Sequence, residues 1–261
     1  MRVVCQQPNY LPWLGYFEQV ARADALVYLD NVQWIRQGRQ HRTRVPFGTQ
    51  HKAPFEKNWL TVPVHGQGHR EKSFREMEID HSRAWPRSHW GEIAALYGKA
   101  PEFHTQLEPL LRPFLEQASQ HKFLIDLCEA SVALFWKPLG LKAQVWHASD
   151  LEPEGMKSER LLHLCQTLEA TEYYSALGAS RYLELPLFRA ANIQVRWQHF
   201  RRSPVEASRP CDYSILDWVA HHPWEEIRAA LGAGRGSIPE AASLGEGTIE
   251  GVMGLMQGSV N

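Results

Sequence analysis

Apolar and polar positions alternate along this chain with two different periods. Short apolar runs at Val3–Cys5, Ala25–Leu29, Gln144–Trp146, Glu172–Ala176 and Ile193–Trp197 are bounded by polar or turn-forming residues, and each reads as a strand. Between them the spacing becomes helical. Trp13, Leu14, Phe17, Val20 and Ala21 recur along one helical face after the first run, and Leu161, Leu162, Cys165 and Leu168 do so after the third. Strands that alternate with helices pair in parallel, because a parallel connection needs a crossover long enough to hold a helix. The expected fold is therefore α/β: a mainly parallel sheet flanked by helices, Rossmann-like in architecture, with a helical insertion.

That insertion is expected at about residues 81–139. Trp85, His89, Ile93 and Leu96 share one helical face, and His104–Leu139 contains no glycine, with Pro113 marking a kink or a break. Before it, Trp59–Val64 reads as a strand at an edge because of Pro63, and Ser73–Ile79 as a weakly alternating further strand. After it, a helix interrupted at Pro186 follows the fourth run, and Ile215–Val219 and Trp224–Leu231 read as short helices. From residue 232 glycine and small residues dominate, with too little apolar surface to offset ordering entropy. The expected organisation is one α/β domain over 1–231 and a flexible glycine-rich tail over 232–261.

Composition narrows the function classes. The chain has 261 residues, 44% of them hydrophobic, and 28 Lys+Arg against 29 Asp+Glu, a formal charge of -1. Such a balance provides no global attraction to nucleic acid or to an anionic membrane. Met1-Arg2 precedes an apolar run far shorter than a signal peptide, and no apolar stretch approaches the roughly 18 residues of a membrane span, so a cytoplasmic protein without membrane insertion is expected. Cysteines at 5, 128, 165 and 211 form no Cys-x-x-Cys pair, so no metal site is expected; Cys211 alone reads as exposed. Gly232-Ala233-Gly234-Arg235-Gly236 follows no strand and is not a phosphate loop. No cofactor is indicated with certainty, and the oligomeric state is open.

Ligands of open α/β sheets bind beyond the carboxyl ends of the strands. The polar residues there are Gln6, Gln7, Asn9 and Tyr10; Asp30, Asn31 and Gln33; His147, Ser149 and Asp150; Ser175, Gly178 and Ser180; and His199. The basic run Arg36, Arg39, Arg42 and Arg44 suits either a solvated edge or a guanidinium clamp for an oxyanion. For proton transfer the candidates are His147, His199, Asp30, Asp150 and Asp217. His199 leads, because it stands at a strand end and the Ser214–Asp217 segment follows it. Ser214 lacks the Gly-x-Ser-x-Gly setting of a nucleophile elbow.

One block exceeds what a turn needs: Gln7-Pro8-Asn9-Tyr10-Leu11-Pro12-Trp13-Leu14-Gly15-Tyr16-Phe17. With Asp30-Asn31-Val32-Gln33-Trp34, Arg42, Trp59–Pro63, Ser175–Ala179, Tyr182-Leu183 and Ser214–Asp217, it resembles the WbqC-like protein family. The resemblance implies a bacterial protein of surface-polysaccharide or specialised-metabolite biosynthesis. Its expected activity is a transferase that places an acyl or aminoacyl group on an amine of a small or nucleotide-sugar-linked acceptor. The donor would be carried as a thioester or on tRNA. Gln7, Asn9, Tyr10, Trp13, Tyr16, Asp30, Arg42, His147, Ser149, Ser175 and Ser214 would hold the ligand, with His199 and Asp217 moving the proton. The opening strand, proline turn and helix also resemble nucleotidyltransferases and pantothenate-synthetase-like ligases. Where these carry His-x-Gly-His, this chain has Trp13-Leu14-Gly15-Tyr16. An ATP-dependent ligase and a non-catalytic binding protein of polysaccharide assembly remain the alternatives.

Overall fold

Seven strands are described: β1 (Arg2–Gln6), β2 (Ala25–Tyr28), β3 (Arg42–Pro46), β4 (Lys57–Thr61), β5 (Gln144–His147), β6 (Glu172–Ser175) and β7 (Gln194–Trp197). Five of them form one parallel sheet in the order β5-β2-β1-β6-β7, and β3 and β4 form a separate antiparallel pair. The structure is a computed structural model that describes residues 1–36, 38–46, 57–68, 72–198, 200 and 213–232. The helices are α1 (Leu14–Arg22), α2 (Trp85–Tyr97), α3 (Glu108–Gln117), α4 (Leu124–Trp136), α5 (Ala148–Leu151), α6 (Ser158–Thr167), α7 (Leu185–Ala190), α8 (Ile215–His221) and α9 (Trp224–Gly232). The glycine-rich segment beyond residue 232 lies outside the described residues, as do His199 and Cys211.

The side-chain period of two divides the sheet between two cores. Val4, Leu26, Tyr28 and Tyr174 point to the face covered by α1 and α4. Val3, Ala25, Val27, Tyr173 and Val195 point to the other, under α6 and α7. Both faces are buried along β2 and nearly so along β6, which is why those strands read as continuous apolar runs, while β5 at the edge is partly exposed.

Topology creates a crevice of the kind where doubly wound sheets bind ligands. From β1 the chain passes through α1 to β2 and then, after the insertion, to β5 at one edge. It returns to β6 on the other side of β1 and ends outward at β7. The direction of winding therefore reverses between β1 and β6, and the loops leaving those two strands diverge to opposite faces. The gap they leave is the binding crevice of a doubly wound sheet.

Several local expectations are corrected. Ser73–Ile79 is not a strand but a single 3-10 turn, Phe74–Glu76, because Ser73 and Glu76 form a capping box. Glu76 accepts from both the Ser73 N–H, at 2.8 Å, and its hydroxyl, at 2.7 Å. Pro113 does not break the helix: α3 continues through it to Gln117, and the break falls at Ala118–Gln120. Pro186 opens α7 rather than interrupting a helix, since a first-turn residue needs no N–H. The strand after residue 57 ends at Thr61, before Pro63, and pairs with Arg42–Pro46, so half of the basic run is a hairpin arm.

Candidate functional site

A cavity of about 510 Å³ opens at the switch point. It is lined by Cys5 and Gln6 of β1, Gln7 and Asn9 of the following turn, Gln19 of α1, and Leu29. Ile35, Gly38, Arg39 and Gln40 close one side; Leu161, Tyr173, Ser175, Ala176, Gly178, Ala179 and Tyr182 close the other. Five carboxamides, the Ser175 hydroxyl and one guanidinium meet there, and among the described residues no carboxylate does. Carboxamides donate and accept without charge, which suits a ligand rich in hydroxyl or amide groups; Arg39 adds a site for a phosphate or carboxylate. Gln40 donates from Nε2 to Gln7 Oε1 at 2.6 Å. Gln40 is 1% exposed, and its Oε1 has no hydrogen-bond partner among the described residues. A buried polar atom left so costs about 1–3 kcal/mol, which a ligand's donor would recover.

A second cavity, of about 420 Å³, lies between α2 and α3 near Arg83, Arg87, Trp90 and Arg112. None of its lining belongs to the sheet, so it gains nothing from the strand ends.

Beneath the first cavity the floor is polar. Glu18, 2% exposed, forms an ion pair with Arg22 and accepts from the Tyr174 hydroxyl at 3.1 Å. Gln198 Nε2 donates to Glu18 Oε2 at 2.8 Å and to the Gly15 carbonyl at 2.7 Å. Gln19 Nε2 donates to Gln198 Oε1 at 2.7 Å, and Gln6 Nε2 donates to Gln19 Oε1. A continuous line of hydrogen bonds thus runs from a buried carboxylate to the cavity wall.

The turn after β1 is tied down by hydroxyls from three distant segments. Leu11 takes a left-handed backbone, φ 45°, which costs a residue with a Cβ about 1–2 kcal/mol. Its N–H donates to Ser131 Oγ at 3.1 Å, and its carbonyl accepts from Thr43 Oγ1 at 2.7 Å and Ser214 Oγ at 2.8 Å. Ser214 also accepts from the Leu216 N–H and so caps α8. The Trp13 ring covers Gly15 so closely that a Cβ there would sit 2.1 Å from it, so a larger residue would force the indole off this position. The block of Gln7 to Phe17 and the remote Ser214 are therefore one structural unit.

A model of the WbqC-like protein family matches residues 7–229, beginning at this turn and ending in α9. This chain belongs to the WbqC-like protein family. It is 31% identical over 196 residues to an uncharacterized protein of Mycobacterium tuberculosis, covering 75% of this chain and 81% of that relative. No solved structure matches it.

The residues singled out from sequence fall into several places. Gln7, Asn9 and Ser175 line the cavity of this WbqC-like chain. Trp13 lies edge-on to Phe200 over Gly15, and Tyr16 is buried in the core. Asp30, 1% exposed, accepts from the Ser149 N–H at 2.9 Å and lies 3.4 Å from Arg75 Nε, fastening the β2 loop to α5. Arg42 and Arg44 lie over the Trp59 ring at 4.3 and 4.7 Å on the hairpin. His147 Nε2 is 3.0 Å from Glu129, whose carboxyl is raised by burial, and His147 does not line the cavity. Asp217 sits on α8, 3.9 Å from His221. His199 lies outside the described residues.

The residues missed from sequence are Gln19, Gln40, Gln198 and Glu18. The available signal was Glu18-Gln19 between Phe17 and Val20: polar residues inside a helix that is buried from Leu14 to Val20.

Tyr10 is a core residue with a consequence for acid stability. Its hydroxyl bonds His89 Nδ1 at 3.0 Å, while His89 Nε2 donates to the Thr61 carbonyl at 3.2 Å, so the ring is neutral with its proton on Nε2. Burial lowers the His89 pKa to about 4; burial, then Arg42 and Arg36, lowers that of His41 to about 4 as well. Because the unfolded chain takes up these protons first, stability is complete above pH 6.5 and falls between pH 6.5 and 4. The expected loss at pH 5 is about 2 kcal/mol per histidine. Urea unfolding at pH 7 and 5, with the His89 ring resonance, checks this; titration of that resonance near pH 6.5 would contradict it.

Proposed function

We propose that this protein is a transferase that places an acyl or aminoacyl group on an amine of a small or nucleotide-sugar-linked acceptor, with the acceptor held in the switch-point cavity. The observation that carries the reading is the cavity lining: five carboxamides and a hydroxyl at the strand ends, with no carboxylate among the described residues. Sugar hydroxyls need donors and acceptors together, which carboxamides supply. Arg39 suits the phosphate of a nucleotide-linked acceptor or a ligand carboxylate. The missing carboxylate matters for the chemistry. An ammonium held by a carboxylate keeps its proton, whereas an acylation acceptor must attack as the free amine. His199, next in the chain after Gln198, is the base in this reading, with Asp217 supporting it. The donor would be a thioester or an aminoacyl-tRNA.

A thermal-shift screen of nucleotide amino sugars, acyl-thioesters and ATP tests this. A ligand at a hundred times its Kd stabilises by about 2.7 kcal/mol. An amino-sugar nucleotide should raise the Tm and be N-acylated when a donor is added. A shift with ATP and none with acyl donors would replace the transferase with a ligase; binding without turnover would leave a binding protein.

A further inference from the structure

The amide line under the cavity has a fixed direction. Gln198 faces two groups at its inner end, the Glu18 carboxylate and the Gly15 carbonyl, and both only accept. Its nitrogen must point at them, because an oxygen there would meet two acceptors. Its Oε1 is then turned to Gln19 and must receive an N–H from it, at 2.7 Å. That turns Gln19 Oε1 toward Gln6, whose nitrogen must donate to it. The sense imposed by two acceptors in the protein interior is passed unchanged through three carboxamides. It leaves Gln6, on the cavity wall, with an Oε1 that receives no hydrogen bond among the described residues.

We propose that Glu18 and the Gly15 carbonyl set the hydrogen-bonding sense of the cavity through Gln198 and Gln19, so that Gln6 presents its carbonyl oxygen and selects a ligand group that donates a hydrogen bond, such as an amine or amide N–H. This rests on the reading of the cavity as the ligand site, and it deepens that reading. The amine of an acylation acceptor, and the N–H of the secondary amide it becomes, both satisfy Gln6; a tertiary amide or an ether oxygen at the same place leaves two acceptors facing each other. Gln6 is thereby a specificity residue, and Gln19, Gln198 and Glu18 are positioning residues that act through it. Rotation of Gln6 is opposed by the whole line, since it would leave two acceptors, or two donors, face to face in the interior.

Two measurements test this separately. A neutron structure of the perdeuterated protein reads which end of each carboxamide carries deuterium. The expected result is deuterium on Gln6 and Gln19 toward their inner neighbours and on Gln198 toward Glu18; a Gln6 oxygen facing Gln19 would overturn the proposal. Binding of two fragments, N-methylacetamide and N,N-dimethylacetamide, is then followed on the Gln6 side-chain NMR signal. The dimethyl compound, which has no N–H, is expected to bind roughly tenfold more weakly, the loss of about one hydrogen bond. Gln198→Leu, which lies outside the cavity lining, frees Gln19 and Gln6 to rotate and should abolish that discrimination while both fragments still bind. Equal binding of the two fragments to the unaltered protein would overturn the selection. Failure of both to bind, with the deuterium positions as expected, would overturn the cavity as ligand site and the selection with it, leaving only the direction of the amide line.

Discussion

Glu18→Ala is expected to lower stability by about 3–5 kcal/mol, the cost of leaving one member of a buried ion pair alone. Arg22 would keep its charge with a side chain only 6% exposed, while the Tyr174 hydroxyl and one N–H of Gln198 would lose their acceptor. The pair spans one turn of α1, and Tyr174 and Gln198 connect it to the ends of β6 and β7, so the loss falls on the middle of the sheet. Arg112→Ala is the control. Arg112 pairs with Glu108 and Glu116 at the surface, where such pairs contribute roughly 0–1 kcal/mol. Urea unfolding of both variants separates the cases by midpoint. A Glu18→Ala loss below about 1 kcal/mol would mean that Arg22 reaches water and that the polar floor is not sealed.

His199→Ala is expected to lower turnover by about 10²–10⁴-fold with folding intact, the range for a lost general base. In the proposed acylation the attacking amine loses a proton as the new bond forms, and among the described residues the cavity lining offers no carboxylate to take it. The assay is N-acylation of the acceptor found in the ligand screen, at saturating donor. The pH profile carries the diagnosis: the parent protein should lose activity as the base protonates on the acid side, and the variant should not show that limb. Unchanged turnover would remove His199 from the mechanism and leave the proton acceptor to another group.

The fold was legible because its signals are local and repeated. Each of the five sheet strands is a short apolar run between turn residues, and the amphipathic spacing of α1 and α6 marks their crossovers. Ser73–Ile79 was misread because two competing signals overlap there: weak alternation suggests a strand, but the capping box formed by Ser73 and Glu76 closes a turn first. The candidate cavity was legible in position and less so in detail. Strand-end logic identified Gln7, Asn9 and Ser175, which do meet at one cavity. The aromatic signature called attention to Tyr10 and Tyr16, yet large rings beside a strand end serve the core as well as a ligand, and only the partners of a side chain tell them apart. Tyr10 has His89 as its partner, 79 positions away. The amide line was hidden for the same reason: Gln6, Gln19 and Gln198 come from three separate elements, and nothing local announces that they touch.

Gly178→Trp tests most directly whether the switch-point cavity is the ligand site. Gly178 follows β6 on the cavity wall, and a Cβ there meets nothing within 4 Å, so a side chain can be added at the wall without a clash at its root, and an indole is large enough to compete with a ligand for the cavity. Among the described residues its backbone carries no positive φ that would demand glycine. The measurement is the Tm of parent and variant, alone and with the ligand found in the screen. The account predicts that the ligand-free Tm stays within about 2 °C, as for a change that strains nothing, while the ligand-induced rise disappears. A variant that keeps the full ligand-induced rise would contradict the account, because the ligand would then be binding elsewhere.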